Sequence, residues 1–284
     1  METVKAIDVL SGHFTPANIE KNFLHNEEEM GRFAQVGRAR TLKSYTPSDF
    51  IKRLDEIGVD KVLICAILTW SFRNQRPLEQ TSVEEVIEVA DQYPDRLYGL
   101  YGVNPMLAMA GVRRLETLVR EHRFKGIHIH PHGFGMPPDH AFYFPYYAKC
   151  QELGVPAVIS MGHTLDFMPI EYGRPIHLDR VALYFPDLAV VCAHTGWPWV
   201  EEAIALAWKH PNVFIATSAY APKYWQPELV KFINSRGQDK VMWGTDFPLI
   251  DHKESLDQIR ALGLKPAAEQ KLLRDNAARV FGFG

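Results

Sequence analysis

The stretch "LAVVCAHTGWPWVEEAIALAWKHPNVFIATSA", residues 188–219, decides the fold. It opens on a short apolar run (188–194) and closes on another (213–219). Such runs, rich in β-branched residues, suit strands covered on both faces, as in parallel sheets. Between them, "PWVEEAIALAWKH" has Pro198 near a first helical turn, with Glu201 and Glu202 close behind. Carboxylates there complement the partial positive charge of a helix N-terminus. The stretch therefore reads strand, helix, strand.

Outward from this unit the same alternation recurs. Apolar runs fall at 4–10, 61–67, 97–103, 126–130, 156–161, 188–194, 213–219 and 240–246, eight in all. Amphipathic segments separate them. "SVEEVIEVADQY" sets Val83, Val86, Ile87 and Ala90 on one stripe at helical spacing. "PELVKFINSRG" and "ESLDQIRALG" each end in a glycine suited to a helix C-cap. Eight strand–helix units in series predict one (β/α)8 TIM barrel spanning 1–284. The polar region from about 12 to 45 is an expected insertion over the mouth after strand 1. "AAEQKLLRDNAARVFG" is left over as an extra C-terminal helix. An open doubly wound sheet is disfavoured, because no G-x-G-x-x-G follows the first strand.

Bulk properties narrow the function. Of 284 residues, 46% are hydrophobic and 23% charged, as in ordinary globular domains, and the net charge of −3 offers no field for nucleic acid or an anionic membrane. The three cysteines, Cys65, Cys150 and Cys192, are scattered, with no CxxC pair and no expected disulfide framework. No apolar run nears the ~18 residues of a membrane span, and the N-terminus lacks the pattern of a secretory signal. The expectation is a cytoplasmic protein whose partner is a small-molecule substrate.

In a barrel, chemistry sits where strands end and loops begin. That rule selects Asp8, His13, His128, His130, Ser160, His163, His194 and Asp246. Any one histidine is more readily a satisfied core residue than a ligand. A set converging from five strands is read as a site.

The motifs "CAHTGWPW" and, about 50 residues later, "GTDFP", with "GIHIHPHG", "RPIHLDRVALYFPDL" and "DNAARVFGF", resemble the amidohydrolase-related family. That branch of the amidohydrolase superfamily holds aminocarboxymuconate-semialdehyde decarboxylase, the resorcylate-type decarboxylases and the pyrone-dicarboxylate lactonases. The resemblance implies that Asp246 carries a proton to or from the substrate and that His194 binds metal or polarises substrate. It also places a metal-binding H-x-H pair where Leu10 and Gly12 stand, and a histidine where Ser160 stands. Neither Leu10 nor Gly12 has a donor atom for a metal. No metal is therefore expected. The alternative is zinc or manganese in a shifted site of His194, Asp246, His128 and His13.

Without a metal, Asp246 acts as general base toward water. His128, His130, His163, His13, Ser160, Arg174 and Trp197 then bind substrate, Arg174 pairing with a carboxylate. The expected activity is hydrolysis of a small cyclic or aromatic carboxylic acid or lactone. Decarboxylation or hydration, or a catalytically silent ligand-binding barrel, are the alternatives. The resemblance also allows a homodimer.

Overall fold

The computed structural model describes residues 4–40, 42–71 and 73–283. Eight parallel strands form the central sheet: β1 (Ala6–Ser11), β2 (Val59–Ala66), β5 (Leu97–Gly102), β6 (Phe124–Ile129), β7 (Ala157–Ser160), β8 (Val190–Ala193), β9 (Val213–Ala216) and β10 (Val241–Met242). They lie in the order β1-β2-β5-β6-β7-β8-β9-β10. All eight coincide with the apolar runs. The seam from β10 to β1 is closed by backbone bonds, Val9 N to Trp243 O at 3.1 Å and Asp246 N to Leu10 O at 2.8 Å.

The strands are buried on both faces because alternate side chains feed two cores. Ile7, Val9, Leu63, Cys65, Leu100, Val158, Val191 and Phe214 fill the barrel interior. Their neighbours Val62, Ile64, Ile127, Ile159, Val190 and Ile215 pack outward among the helices. Ala277, Phe281 and Phe283, at and just beyond the C-terminal helix Asn276–Phe281, join the interior cluster. The extra C-terminal helix of the sequence reading is thus a plug for the barrel floor. The wide turn before it, Lys271–Asp275, presents the Leu272 carbonyl to Trp243 N at 2.9 Å.

Asp8 has a structural position. Its carboxylate accepts from Leu10 N (3.1 Å), Thr245 N (3.0 Å) and Thr245 Oγ1 (2.5 Å), with His252 Nε2 3.0 Å away. Fully buried, it ties the first strand to the last.

Two pieces cover the mouth. The insertion folds as short helices, ending in Glu27–Gln35, whose N-cap Asn26 accepts from Glu29 N. The hairpin β3 (Leu68–Ser71) and β4 (Arg76–Gln80) has no counterpart in the sequence reading. Its strands are short, and few of its side chains, Thr69, Ser71 and Leu78 among them, are buried, so its periodicity is faint. Asn22 Oδ1 accepts from Gln80 N at 3.0 Å and Asn26 Nδ2 donates to Leu78 O at 2.7 Å, locking hairpin to insertion. Among the described residues no helix is long and apolar enough to cross a membrane.

Candidate active site

The strand ends and the two covering pieces enclose a cavity of about 580 Å³. Cys65 from β2, His128 and His130 from the end of β6, and Ser160 from β7 face it directly, each in step with the inward-facing residues of its strand. His194 and Asp246 reach it differently. Each follows the end of a strand and has a left-handed backbone, with φ of 59° and 57°. Non-glycine residues seldom adopt that conformation, and it clusters at functional sites. Here it brings both side chains onto the cavity wall. The insertion contributes Phe23, Arg32 and Phe33, the hairpin Glu79, and the loop after β7 contributes His163 and Asp166. Trp197 and Tyr220 give the wall an aromatic side.

The polar wall is wired in series. Ser160 Oγ lies 2.8 Å from His128 Nε2 and 3.0 Å from His194 Nε2. His194 Nδ1 lies 3.0 Å from Ser218 Oγ. Ser160 has one proton, so it donates to one imidazole while the other donates to it. His130 is separate. Its Nδ1 accepts from Gly133 N at 3.1 Å, so in the neutral ring Nε2 carries the proton. His132 donates Nε2–H to the Gly162 carbonyl at 2.8 Å.

Burial keeps these rings neutral. It pushes His128 down to about 3, aided by nearby His194, and His132 down to about 4 against the pull of the Gly162 carbonyl. Burial also lowers His130 and His194, the latter opposed by Asp246. They are hydrogen-bonding groups here, not cations.

Three basic side chains line the cavity, Arg32, Arg38 and Lys223, and Arg32 lies beside the buried carboxyls. It pairs with Glu29 and stands 3.3 Å from Asp166. Burial works against its charge, but Asp166, Glu29 and Glu79 outweigh that and hold the guanidinium protonated. Burial raises Asp246 above the ordinary carboxylate range, with Asp8 and Asp166 reinforcing and His194 and Arg32 opposing. Glu79 is raised for the same primary reason, reinforced by Glu29 and Asp246.

Most of the residues expected from the sequence meet at this cavity: Asp246, His194, His128, His130, His163, Ser160 and Trp197. Two do not. His13 turns away, its Nε2 3.2 Å from the Glu85 carbonyl and its Nδ1 beside Thr15. Arg174 lies on the outside, half exposed, paired with Glu202 at 2.7 Å and set over the Trp199 ring. Arg32, Glu79, Asp166 and His132 were not singled out from sequence. The first three are ordinary charged residues in polar segments, and only His132, in the histidine-rich "HPHG", carried a usable signal.

The resemblance implies a metal, and the donors present fall short of one. A β-carbon at Gly12 would sit 2.5 Å from the Phe247 carbonyl oxygen, leaving no room for a ligand side chain there. Both His194 nitrogens are engaged by serines. His13, offered as a shifted ligand, faces Glu85. Among the described residues no three His, Cys, Asp or Glu side chains group closely enough to hold a metal ion. The residues present do not fit a resident divalent cation.

Residues 69–283 match the amidohydrolase family, and the chain belongs to it. No protein of curated function matches the sequence. Among solved structures, an uncharacterised TIM-barrel protein from Bordetella bronchiseptica is similar, with 23% identity, TM-score 0.76, and 97% of this chain and 99% of that one covered. A 5-carboxyvanillate decarboxylase from Novosphingobium aromaticivorans, solved with manganese and 4-hydroxy-3-methoxy-5-nitrobenzoic acid, gives 20%, 0.68, and 98% and 96%. A probable 2-pyrone-4,6-dicarboxylic acid hydrolase from Acinetobacter baumannii, with citric acid bound, gives 17%, 0.63, and 98% and 100%. At these identities the likeness establishes a shared TIM-barrel fold.

Proposed function

We propose that this amidohydrolase-family protein is a metal-independent acid–base enzyme that hydrolyses a lactone or related bond in a small cyclic or aromatic carboxylic acid. The observation that carries this is the Asp246 carboxyl. It faces the cavity from a left-handed backbone, beside the Ser160–His194–Ser218 chain, and among the described residues no hydrogen bond ties the carboxyl down. A carboxylate so placed can take the proton of a water attacking the substrate carbonyl. His130 Nε2–H is a neutral donor for the resulting oxyanion. Trp197 and Tyr220, with ring centroids 5.7 Å apart, suit a flat ring. Arg32 and Arg38, rather than Arg174, are the guanidinium groups on the cavity wall that a substrate carboxylate could meet.

Decarboxylation is the second reading. It is favoured by the upward shift of Asp246, which keeps more of it protonated and able to deliver a proton to a ring carbon, and by the several decarboxylases among the structural neighbours.

The test is a substrate panel: 2-pyrone-4,6-dicarboxylate, 5-carboxyvanillate and 2,6-dihydroxybenzoate, followed by ultraviolet absorbance and by released carbon dioxide. Ring opening without gas is expected, and Asp246→Asn should lower it by roughly 10²–10⁴-fold. Gas release in its place selects the decarboxylase reading. Full activity in Asp246→Asn removes the aspartate from the reaction.

A further inference from the structure

Four carboxyl groups line the cavity wall: Glu79, Asp166, Asp246 and Glu254. Asp166 is held by Arg32 and by Thr164, and Glu254 by Arg38. The side chains of Glu79 and Asp246 alone have no hydrogen-bond or ion-pair partner among the described residues. Both side chains are half-buried on the cavity wall, so their carboxyls are left free to meet a ligand there.

Glu79 is not loosely hung. Its backbone N–H donates to Thr69 Oγ1 across the hairpin at 3.1 Å. The residues on either side of it are tied to the insertion, Leu78 through Asn26 and Gln80 through Asn22. The peptide that carries Glu79 is thus fixed at three successive residues, while its carboxyl is left to the cavity.

We infer that Glu79 is the proton donor of this cavity, working with Asp246 as its proton acceptor. The inference rests on the hydrolytic reading above. In the step, Asp246 takes a proton from water as the water oxygen bonds to the lactone carbonyl carbon. The ring C–O bond then breaks, and Glu79 gives its proton to the departing ring oxygen. The product leaves as a hydroxy acid, and Asp246 returns its proton to Glu79 through solvent. Two carboxyls that carry one proton between them divide acid and base roles this way in general. The groups that face Glu79 are Glu29 and Arg32 from the insertion, Asp166 from the loop after β7, Asp246 after β10, and Cys65 of β2. One cation among three other carboxyls favours retention of a proton on Glu79.

The experiment uses two lactones of the same shape, dihydrocoumarin and its 6-nitro derivative. The nitrophenolate leaves unaided and the plain phenolate does not. Glu79→Gln should slow dihydrocoumarin hydrolysis by roughly 10²-fold, and the nitro lactone by far less. Equal loss on both overturns the donor role and makes Glu79 a positioning residue only.

An infrared titration provides a readout that needs no turnover. With glutamate carboxyls labelled with carbon-13, a protonated glutamyl band is expected at pH 7, and because burial also raises Glu29 to about 7, Glu79→Gln should remove the larger part of it and Glu29→Gln the smaller. A band undiminished by Glu79→Gln, or no band in the wild-type protein, overturns the inference even if a variant folds poorly. If the wild-type protein is inert toward both lactones and toward 2-pyrone-4,6-dicarboxylate while the Glu79 band is present, the hydrolytic reading fails and the proton-holding role of Glu79 does not.

Discussion

Substituting alanine for Gly12 tests both the barrel seam and the reason the first strand holds no ligand. Gly12 N donates to Phe247 O at 2.7 Å. An added β-carbon would lie 2.5 Å from that same oxygen, where an ordinary contact begins near 3.4 Å, so the two segments must part by 0.9 Å (3.4 − 2.5). A parting of that size stretches the 2.7 Å hydrogen bond to roughly 3.6 Å, beyond useful range. Losing it costs about 1 kcal/mol. Forcing backbone against backbone in a packed region adds about 1–3 kcal/mol. The sum, about 2–4 kcal/mol, should move the urea midpoint by roughly 1 M at the m-values usual for domains. Phe247 follows Asp246 directly, so turnover should fall with stability. Equilibrium urea unfolding followed by tryptophan fluorescence measures the change. A variant within about 0.5 kcal/mol of wild type, with the same m-value, would refute the argument. It would also reopen position 12 to a metal-binding side chain.

Other outcomes follow from the same geometry. Ser160→Ala removes hydrogen bonds to both His128 and His194. At about 0.5–1.5 kcal/mol each, kcat should fall roughly 10–100-fold with the fold intact, and an unchanged kcat would show that the chain is not used. Protein purified without chelators should carry no stoichiometric zinc or manganese and should ignore chelators. One equivalent by elemental analysis, lost with activity, would contradict this. Burial raises Asp246 and Glu79 in the folded state, so their ionisation opposes folding. Below about pH 4 both states are protonated and nothing is lost. Above it the unfolded chain ionises first, and folding weakens until the folded groups also ionise. Asp246→Asn and Glu79→Gln should therefore raise Tm at pH 8, with the gain fading by about pH 4. An equal gain at both pH values would assign it to packing instead.

The barrel was legible because each strand carries its own short-range signature. A strand buried on both faces must be apolar throughout, and eight such runs between amphipathic helices leave few architectures. Asp246, His194, His128, His130 and Ser160 were legible for a related reason, since a polar residue that ends an apolar run stands at the barrel mouth. Local reach was where the reading went astray. His13 stands one residue past Gly12, but Gly12 is pinned beneath the Phe247 carbonyl and the chain carries His13 out to Glu85. Arg174 sits near a helix start, and Glu202 holds it on the outer surface. Arg32, Glu79 and Asp166 had no sequence signal, because a charged residue in a polar segment is normally a solvated one. Only when the insertion, the hairpin and the loop after β7 fold over the mouth do these charges come together at one cavity. Strand identity depends on unbroken burial along a short run, which the chain encodes locally. The meeting of side chains more than 200 residues apart depends on barrel closure and on which loop covers which strand end, and that is settled only by the packed whole.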